Sequence, residues 1–299
     1  MKEYQVVVVG DAIMDVFVLP QQNSEHFHVN RDKGEISFSL GAKIPVDTAV
    51  VSIGGNGTNV SSSLSKLGIR TTLVAELGDD NFAEILSKEL AANRISLEYL
   101  IRTKGAPSTF SVIISIGEER TIFSHHVERK HDFTFSPISA EWMYLTSLGE
   151  VWHEAYQRAF SYVKDQGVKL AFNPGSHQLA EGSKSFLQIL PNTEIVFINR
   201  EEAEHILFGE DYAGDGQRKP VEELLTAVKK LGSKIVSITD GTHGSYACDE
   251  AGKTYFQETL PSLIVEKTGV GDAYAAGFLG AIINNCDVPT AMKWGAAIS

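Results

Sequence analysis

The chain has 299 residues, 43% hydrophobic and 21% charged, with a formal net charge of -12. That length holds ample core for one large α/β domain or two smaller ones. The 38 acidic against 26 basic residues leave no basic stripe for nucleic acid, although a local site can still be positive in an acidic protein. Cys248 and Cys286 lack metal-ligand or disulfide-framework spacing, which points to a reducing cytoplasm. The most apolar run, "AYAAGFLGAII", is too short to span a bilayer and carries glycines, so no membrane association is expected. The opening "MKEYQVVVVGD" reads as a buried strand and not as a secretory signal.

Along the chain, "QVVVVG" (5–10) is a continuous apolar run, as in a strand covered on both faces. "EISFSLGAKIPVDTAVVSI" (35–53) alternates apolar and polar residues without a helical pattern. In "TNVSSSLSKLG" (58–68), Val60, Leu64 and Leu67 share a helical face that stops at Gly68. "TTLVAELG" (71–78) is a strand, and Phe82, Leu86 and Leu90 mark the next helix. "STFSVIISIGEERTIFSHH" (108–126) has Val112, Ile114 and Ile116 at period two, then a turn at "GEER". "MYLTSLG", "VKLAFN", "EIVFIN" and "KIVSIT" are further short apolar strands, and Val221, Leu224, Leu225, Val228 and Leu231 pattern a helix. "PSLIVE" (261–266) predicts a strand before a helix that begins near Asp272, with Tyr274, Phe278 and Ile282 in register. Pro289 opens a last helical pattern, "PTAMKWGAAIS". Alternating strands and helices predict a parallel sheet with helices on both faces. The two alternating stretches predict a small β-sheet beside it, inserted between the early βα units.

Two glycine clusters carry chemistry. Thr268-Gly269-Val270-Gly271 joins a strand to a helix start, where free backbone N–H groups form an anion site. A carboxylate beside such a site needs a reason. Asp272 is either a helix N-cap or the base that takes a proton from an attacking hydroxyl while the turn holds a migrating phosphoryl group. The positive helix end would then keep Asp272 ionised at neutral pH. The stretch fails G-x-G-x-x-G, since Tyr274 stands at the third glycine. "ACDEAGKT" (247–254) is a loose Walker A match flanked by strands, hence a hairpin turn. The other cluster, Gly54, Gly55 and Gly57, lets backbone approach a ligand, or simply makes a tight strand–helix connection capped by Thr58 or Asn59.

"GGNGTNVSSSLSKLGIRTTLVAELG" and "TGVGDAYAAGFLGA" resemble the two signature regions of the ribokinase-like (PfkB) carbohydrate kinases. The resemblance covers essentially the whole chain and implies one domain over 1–299. The implied fold is a doubly wound, mostly parallel sheet with a small β-lid, here from segments near 12–20, 35–53 and 98–126. It implies Asp272 as catalytic base and Gly269, Val270 and Gly271 as the anion hole. Asp15, Gly55 and Asn59 fall where the family holds its substrate. Asn199 and Glu202, in "NREE", fall at an N-x-x-E element that organises magnesium and phosphate, and they also spell a helix capping box. Thr239 and Gly241, in "TDGTHG", resemble a nucleotide-phosphate turn. The implied activity is transfer of the ATP γ-phosphoryl to a hydroxyl of a sugar or sugar-like molecule, with Mg2+.

The sequence departs from the family pattern at Glu266 and Lys267, where a monovalent-cation site usually lies; a lysine there counts against K+ dependence. Val270 replaces a small residue, and Asn56 stands where ribokinases have lysine, so ribose is one candidate among several. A nucleoside acceptor would want a stacking residue such as Phe38, Phe110 or Phe123. A phosphosugar would want cations such as Lys43, Arg102 or Arg120. A non-catalytic sugar or nucleotide sensor is the alternative outside enzymology. His125, His126 and His243 lack carboxylate or cysteine partners at metal spacing. An exposed lid face could make a homodimer. The last helix ends at Ser299 without a cap, so a shortened chain or an open adenine pocket, with weakened nucleotide affinity, is expected.

Overall fold

The computed structural model describes residues 2–117, 119–181, 188–209, 219–261 and 268–299. The strands are β1 (Tyr4–Val9), β2 (Ile13–Pro20), β3 (Phe27–Asn30), β4 (Glu35–Phe38) and β5 (Val46–Gly54). They continue with β6 (Thr71–Leu77), β7 (Leu100–Arg102), β8 (Phe110–Ile116), β9 (Glu119–His125) and β10 (Ala140–Leu145). The last are β11 (Lys169–Phe172), β12 (Ile195–Asn199), β13 (Ile235–Thr239), β14 (Ser245–Cys248) and β15 (Thr254–Gln257). The helices are α1 (Asn56–Lys66), α2 (Asn81–Ala92), α3 (His153–Gln166), α4 (Ser176–Ala180), α5 (Arg200–Phe208), α6 (Val221–Lys229), α7 (Val270–Ile283) and α8 (Val288–Ile298).

Among the described residues the large sheet has the order β15-β14-β13-β12-β11-β10-β1-β6-β7. From β7 to β13 every pairing is parallel; β14 and β15 are an antiparallel hairpin at one edge. The chain winds outward from β1 in both directions, so the sheet is doubly wound. The valine run explains why β1 is central. Val7 and Val9 pack into a core with α3, α5 and α6, while Val6 and Val8 pack into a second core with α1, α2, α7 and α8. Alternate side chains of a strand point to opposite faces, so only a continuously apolar strand can serve both layers. The hairpin at 245–257 leaves no helix after "ACDEAGKT", as its flanking strands require.

The four-stranded small sheet has the order β5-β2-β8-β9. Two expected segments belong elsewhere. Glu35–Phe38 pairs with Phe27–Asn30 in a separate two-stranded ribbon, and Leu100–Arg102 extends the large sheet beside β6. Alternation marks a strand with one wet face but does not name its partner. Of the strand expected over 261–266, residues 262–266 lie outside the described residues.

Helix starts also differ from expectation. α1 begins at Asn56 and α7 at Val270, with Gly55 and Gly269 as N-caps that make no side-chain cap bond. Neither Thr58, Asn59 nor Asp272 is a cap. α8 starts at Val288, capped by Asp287, whose carboxylate accepts from the Thr290 N–H.

Close approach explains the first glycine cluster. A Cβ on Gly54 would lie 2.0 Å from Asp15 Oδ2, and one on Gly55 would lie 2.6 Å from the Asp11 carbonyl oxygen. On Gly57 it would lie 2.8 Å from the Gly10 carbonyl carbon. The glycines let the start of α1 rest on the backbone that leaves β1. Gly57→Ala should therefore destabilise the protein by about 1–3 kcal/mol, although alanine is the better helix former by roughly 1 kcal/mol. Urea denaturation would show it as a lower midpoint at unchanged slope; a midpoint at or above wild type would contradict this packing argument.

Candidate active site

In doubly wound sheets, ligands bind outside the carboxyl ends of the parallel strands. Asn173 follows β11, Asn199 ends β12 and Thr239 ends β13, and all three line a cleft of ≈ 230 Å³. The first turn of α7 contributes Gly269, Gly271 and Asp272, α5 contributes Glu202, and Asn56 and Arg120 reach it from α1 and β9.

Asp272 is the third residue of α7 and only 8% exposed. Its Oδ2 accepts a hydrogen bond from Asn59 Nδ2 at 2.8 Å, across 213 residues of sequence. Gly269 lies against the same amide, 3.3 Å from where its Cβ would be. Burial pushes the Asp272 carboxyl up to about 7, with the Asn59 amide pulling the other way. The helix end was expected to keep this group ionised; at 0.3–1 kcal/mol in the exposed case, that effect is smaller than the desolvation of a nearly buried carboxylate.

Asn199 and Glu202 form the capping box. Asn199 Oδ1 accepts from the Glu202 N–H and Glu202 Oε2 from the Asn199 N–H, each at 2.8 Å. Burial pushes the Glu202 carboxyl up to about 7 against the pull of that backbone bond, with Glu201 and Asp272 adding repulsion. The neighbouring Arg200 donates from Nη1 to Asp240 Oδ2 at 3.0 Å, tying the start of α5 to the turn after β13. Gly241 opens the short 3-10 turn there and is exposed.

Asp15 and Gly55 lie outside the cleft's lining. Asp15 is 6% exposed, in register with Ser52 and Ser111 on the small sheet. Burial raises its carboxyl to about 6, with the Ser111 hydroxyl lowering it. A further carboxyl, Asp11, accepts from Ser147 Oγ at 3.0 Å and is raised by burial to about 7. The structure thus joins Asp272, Asn59, Gly269, Gly271, Asn199, Glu202 and Thr239 around one region, with Asp15 at the base of the small sheet.

Sequence reasoning missed Asn173, Asp11 and the Arg200–Asp240 pair. Asn173 had a signal, since a polar residue ends the apolar run "VKLAF" as Asn199 and Thr239 end theirs. Tyr274, taken only as core, lines the cleft, and its hydroxyl is 3.1 Å from Ser237 Oγ. Of the three cations considered, Arg102 pairs with Glu84 at 2.7 Å, Lys43 is exposed, and Arg120 lines the cleft. Phe38 packs on Phe27 and Phe110 on Phe82 and His125. Glu266 and Lys267 fall outside the described residues.

The family model described as "pfkB family carbohydrate kinase" matches residues 5–299. The chain belongs to the pfkB family of carbohydrate kinases. A 5-dehydro-2-deoxygluconokinase of Geobacillus kaustophilus is 26% identical over 263 residues, 82% of this chain and 77% of that protein. An adenosine kinase structure from Sinorhizobium meliloti has TM-score 0.78 at 21% identity, covering 99% of this chain and 92% of that one. An Arabidopsis thaliana ribokinase complexed with ribose and ATP has TM-score 0.73 at 19% identity, covering 99% and 91%. These structures share the fold. As a pfkB carbohydrate kinase, the chain is a phosphotransferase with an alcohol acceptor. Among the described residues no helix is long and apolar enough to cross a membrane.

The raised carboxyls have a consequence for stability. A carboxyl whose folded pKa exceeds its unfolded value does not oppose folding below the unfolded pKa, here 3.8 for Asp272, and opposes it increasingly as pH rises through about 7. Asp272→Asn removes that charge. It should be more stable than wild type at pH 8 by about 1–4 kcal/mol, and by less than half as much at pH 5. Urea unfolding at the two pH values measures this; a gap independent of pH would contradict the desolvation argument.

Proposed function

We propose that this carbohydrate kinase transfers the γ-phosphoryl group of ATP to a sugar hydroxyl, with Asp272 as general base. The observation that carries this reading is the buried Asp272 carboxyl, held by Asn59 where a glycine-flanked helix start opens on the cleft. The acceptor hydroxyl gives its proton to the Asp272 carboxylate as its oxygen bonds to the γ-phosphorus. The bond from that phosphorus to the β,γ-bridging oxygen breaks, and ADP leaves. The first N–H groups of a helix have no intrahelical partner, so those of the Gly269–Val270–Gly271 turn are suited to the migrating negative charge. Asp15, Gly55 and Asn59 hold the acceptor, and Asn59 also orients Asp272. Thr239 and Gly241 face the nucleotide phosphates.

Magnesium suits the donor set. It is a hard ion usually held by one or two carboxylates, phosphate oxygens and water, and Glu202 beside Asn199 is a buried carboxyl without a cationic partner in its capping box. When bound, it would offset phosphate charge and favour the ionised form of Glu202. The gluconokinase relative bears the name of a sugar-acid kinase, so sugar acids belong in the first acceptor panel. The decisive assay is ADP release across sugars, sugar acids, sugar phosphates and nucleosides. Asp272→Asn should retain nucleotide binding and lose at least ~10² in turnover. In wild type, kcat/KM should fall as pH drops through about 7, because the base must be ionised. A mutant turning over within a few fold of wild type would remove the base assignment.

We also propose a homodimer through the small sheet. Val51, Val16, Val112 and Phe123 form one row across its four strands, on the face opposite Asp15, and Val51 and Phe123 are 51% and 53% exposed. Exposed apolar rows of this kind suit an isologous contact. Phe123→Lys should convert dimer to monomer in sedimentation; a wild-type chain that sediments as monomer at micromolar concentration would exclude it.

A further inference from the structure

We infer that Tyr144 is a positioning residue for Asp272, its buried hydroxyl serving the base as a second donor through one ordered water beneath the cleft. The inference rests on the phosphotransfer reading above and adds to it a strand residue that neither signature region contains. Tyr144 lies on β10, paired with Val8 of β1 and Ala171 of β11. It shares a core with Val6, Val8 and the buried side chains of α1 and α7, so it stands on the face of the sheet that α7 covers. Its ring is 6.1 Å from that of Phe197, which lines the cleft and meets Phe278 of α7 edge-on at 5.4 Å. The tyrosine thus sits under α7, one layer below the cleft.

The hydroxyl is what calls for an explanation. Tyr144 is fully buried, yet its hydroxyl has no hydrogen-bond partner among the described residues. Other buried tyrosines have one. Tyr156 donates to the Thr146 carbonyl at 2.9 Å, Tyr162 to the Ile138 carbonyl at 3.0 Å, and the Tyr274 hydroxyl meets Ser237 Oγ at 3.1 Å. A buried hydroxyl without a partner is costly and therefore uncommon. Burial first, then the charge of Asp272 on α7, then that of Glu202 on α5 raise the Tyr144 phenol well above its ordinary range. Tyr156 on α3 acts on it too, but burial raises that phenol as well, so it carries no charge at working pH. Arg120 is the cation lining the same cleft. The Tyr144 hydroxyl keeps its proton throughout and faces two carboxyls, of which Asp272 acts on it more strongly. Asn59 already donates to Asp272 Oδ2, and a carboxylate accepts more than one donor. A water with two to four polar partners spans a gap of this kind. A donor to the charged form favours that form. Asn59 and Tyr144 then act together against burial and hold the base ionised.

The first test needs no acceptor. Urea unfolding of the full chain at pH 5 and pH 8 measures the effect of Tyr144→Phe in three backgrounds: wild type, Asp272→Asn and Glu202→Gln. Removing a donor from the Asp272 carboxylate raises its folded pKa further, so the loss belongs to the pH range where that group ionises. In wild type, Tyr144→Phe should lower the folding constant about fivefold more at pH 8 than at pH 5, for a shift of about one unit. That excess should vanish in Asp272→Asn and persist in Glu202→Gln. With a working acceptor, the acid limb of kcat/KM should move up by about one pH unit in Tyr144→Phe, a size in keeping with hydrogen bonds to charged groups. The loss in kcat/KM should be largest at low pH and shrink as pH rises. An equal stability effect at both pH values with an unmoved acid limb would make Tyr144 a core residue only and overturn the proposal. So would an excess that vanishes in Glu202→Gln and survives Asp272→Asn, which would assign the hydroxyl to the other carboxyl. Turnover of Asp272→Asn within a few fold of wild type would overturn the base reading itself, a result distinct from either of these because the unfolding comparison does not depend on activity.

Discussion

The hydrogen bond from Asn59 to Asp272 is the constraint around which the site is organised. It joins α1 to α7, and each helix begins at a glycine with positive φ, Gly55 at 90° and Gly269 at 78°. A side chain at either cap would be strained, and at Gly55 it would also meet the Asp11 carbonyl oxygen. The two helix starts therefore come together without side-chain caps of their own. The carboxylate that might have capped α7 turns to the Asn59 amide. What looks like a local turn motif is half of a long-range pair, and packing of α1 on the backbone after β1 sets where the amide stands.

Electrostatics gives this arrangement its tension. Asp11, Asp15, Glu202 and Asp272 are all raised by burial, the first and last two to about 7 and Asp15 to about 6. A fold selected only for stability would pair such groups with cations, as Arg200 is paired with Asp240 a few residues from the cleft. Burying these four carboxyls without a cation that pairs with them among the described residues lowers the stability of the ligand-free protein near neutral pH. Compensating charge is proposed to arrive with magnesium. Strain of this kind concentrates at functional sites because the ligand completes the environment.

Much of the layering was legible in the sequence. The unbroken valines of β1 demanded two covered faces, whereas on β8 the period-two set marked a strand but not its wet face, since Val112 and Ile114 are half-buried while Ser111 and Ile113 are buried. The partners of such strands were not legible. Nothing in "FHVN" (27–30) advertised that it would claim Glu35–Phe38, so a ribbon was taken for part of the small sheet. The cleft was legible in its glycines and in the polar residues that end apolar strands, though Asn173 went unread. Asp272 was legible as a candidate, but the rise of its carboxyl to about 7 was not. A helix-end effect is local and visible in sequence, whereas desolvation depends on how deeply the carboxyl is buried, and that is set by tertiary packing.

The two faces of the small sheet carry different duties on the same strands. On β9, Arg120 and Ser124 face the side of Asp15, while Phe123 faces the other way with Val112, Val16 and Val51. A one-residue slip of β9 would exchange the two sets, turning Phe123 toward the cleft and Arg120 away from it. Register on this strand is thus worth more than its exposed surface suggests. The apolar row supplies the means to fix it, since cross-strand pairs of aromatic and β-branched residues each add roughly 0.2–1 kcal/mol to one register. If a second copy of the chain covers that row, the same contact that joins two subunits also holds the guanidinium over the site.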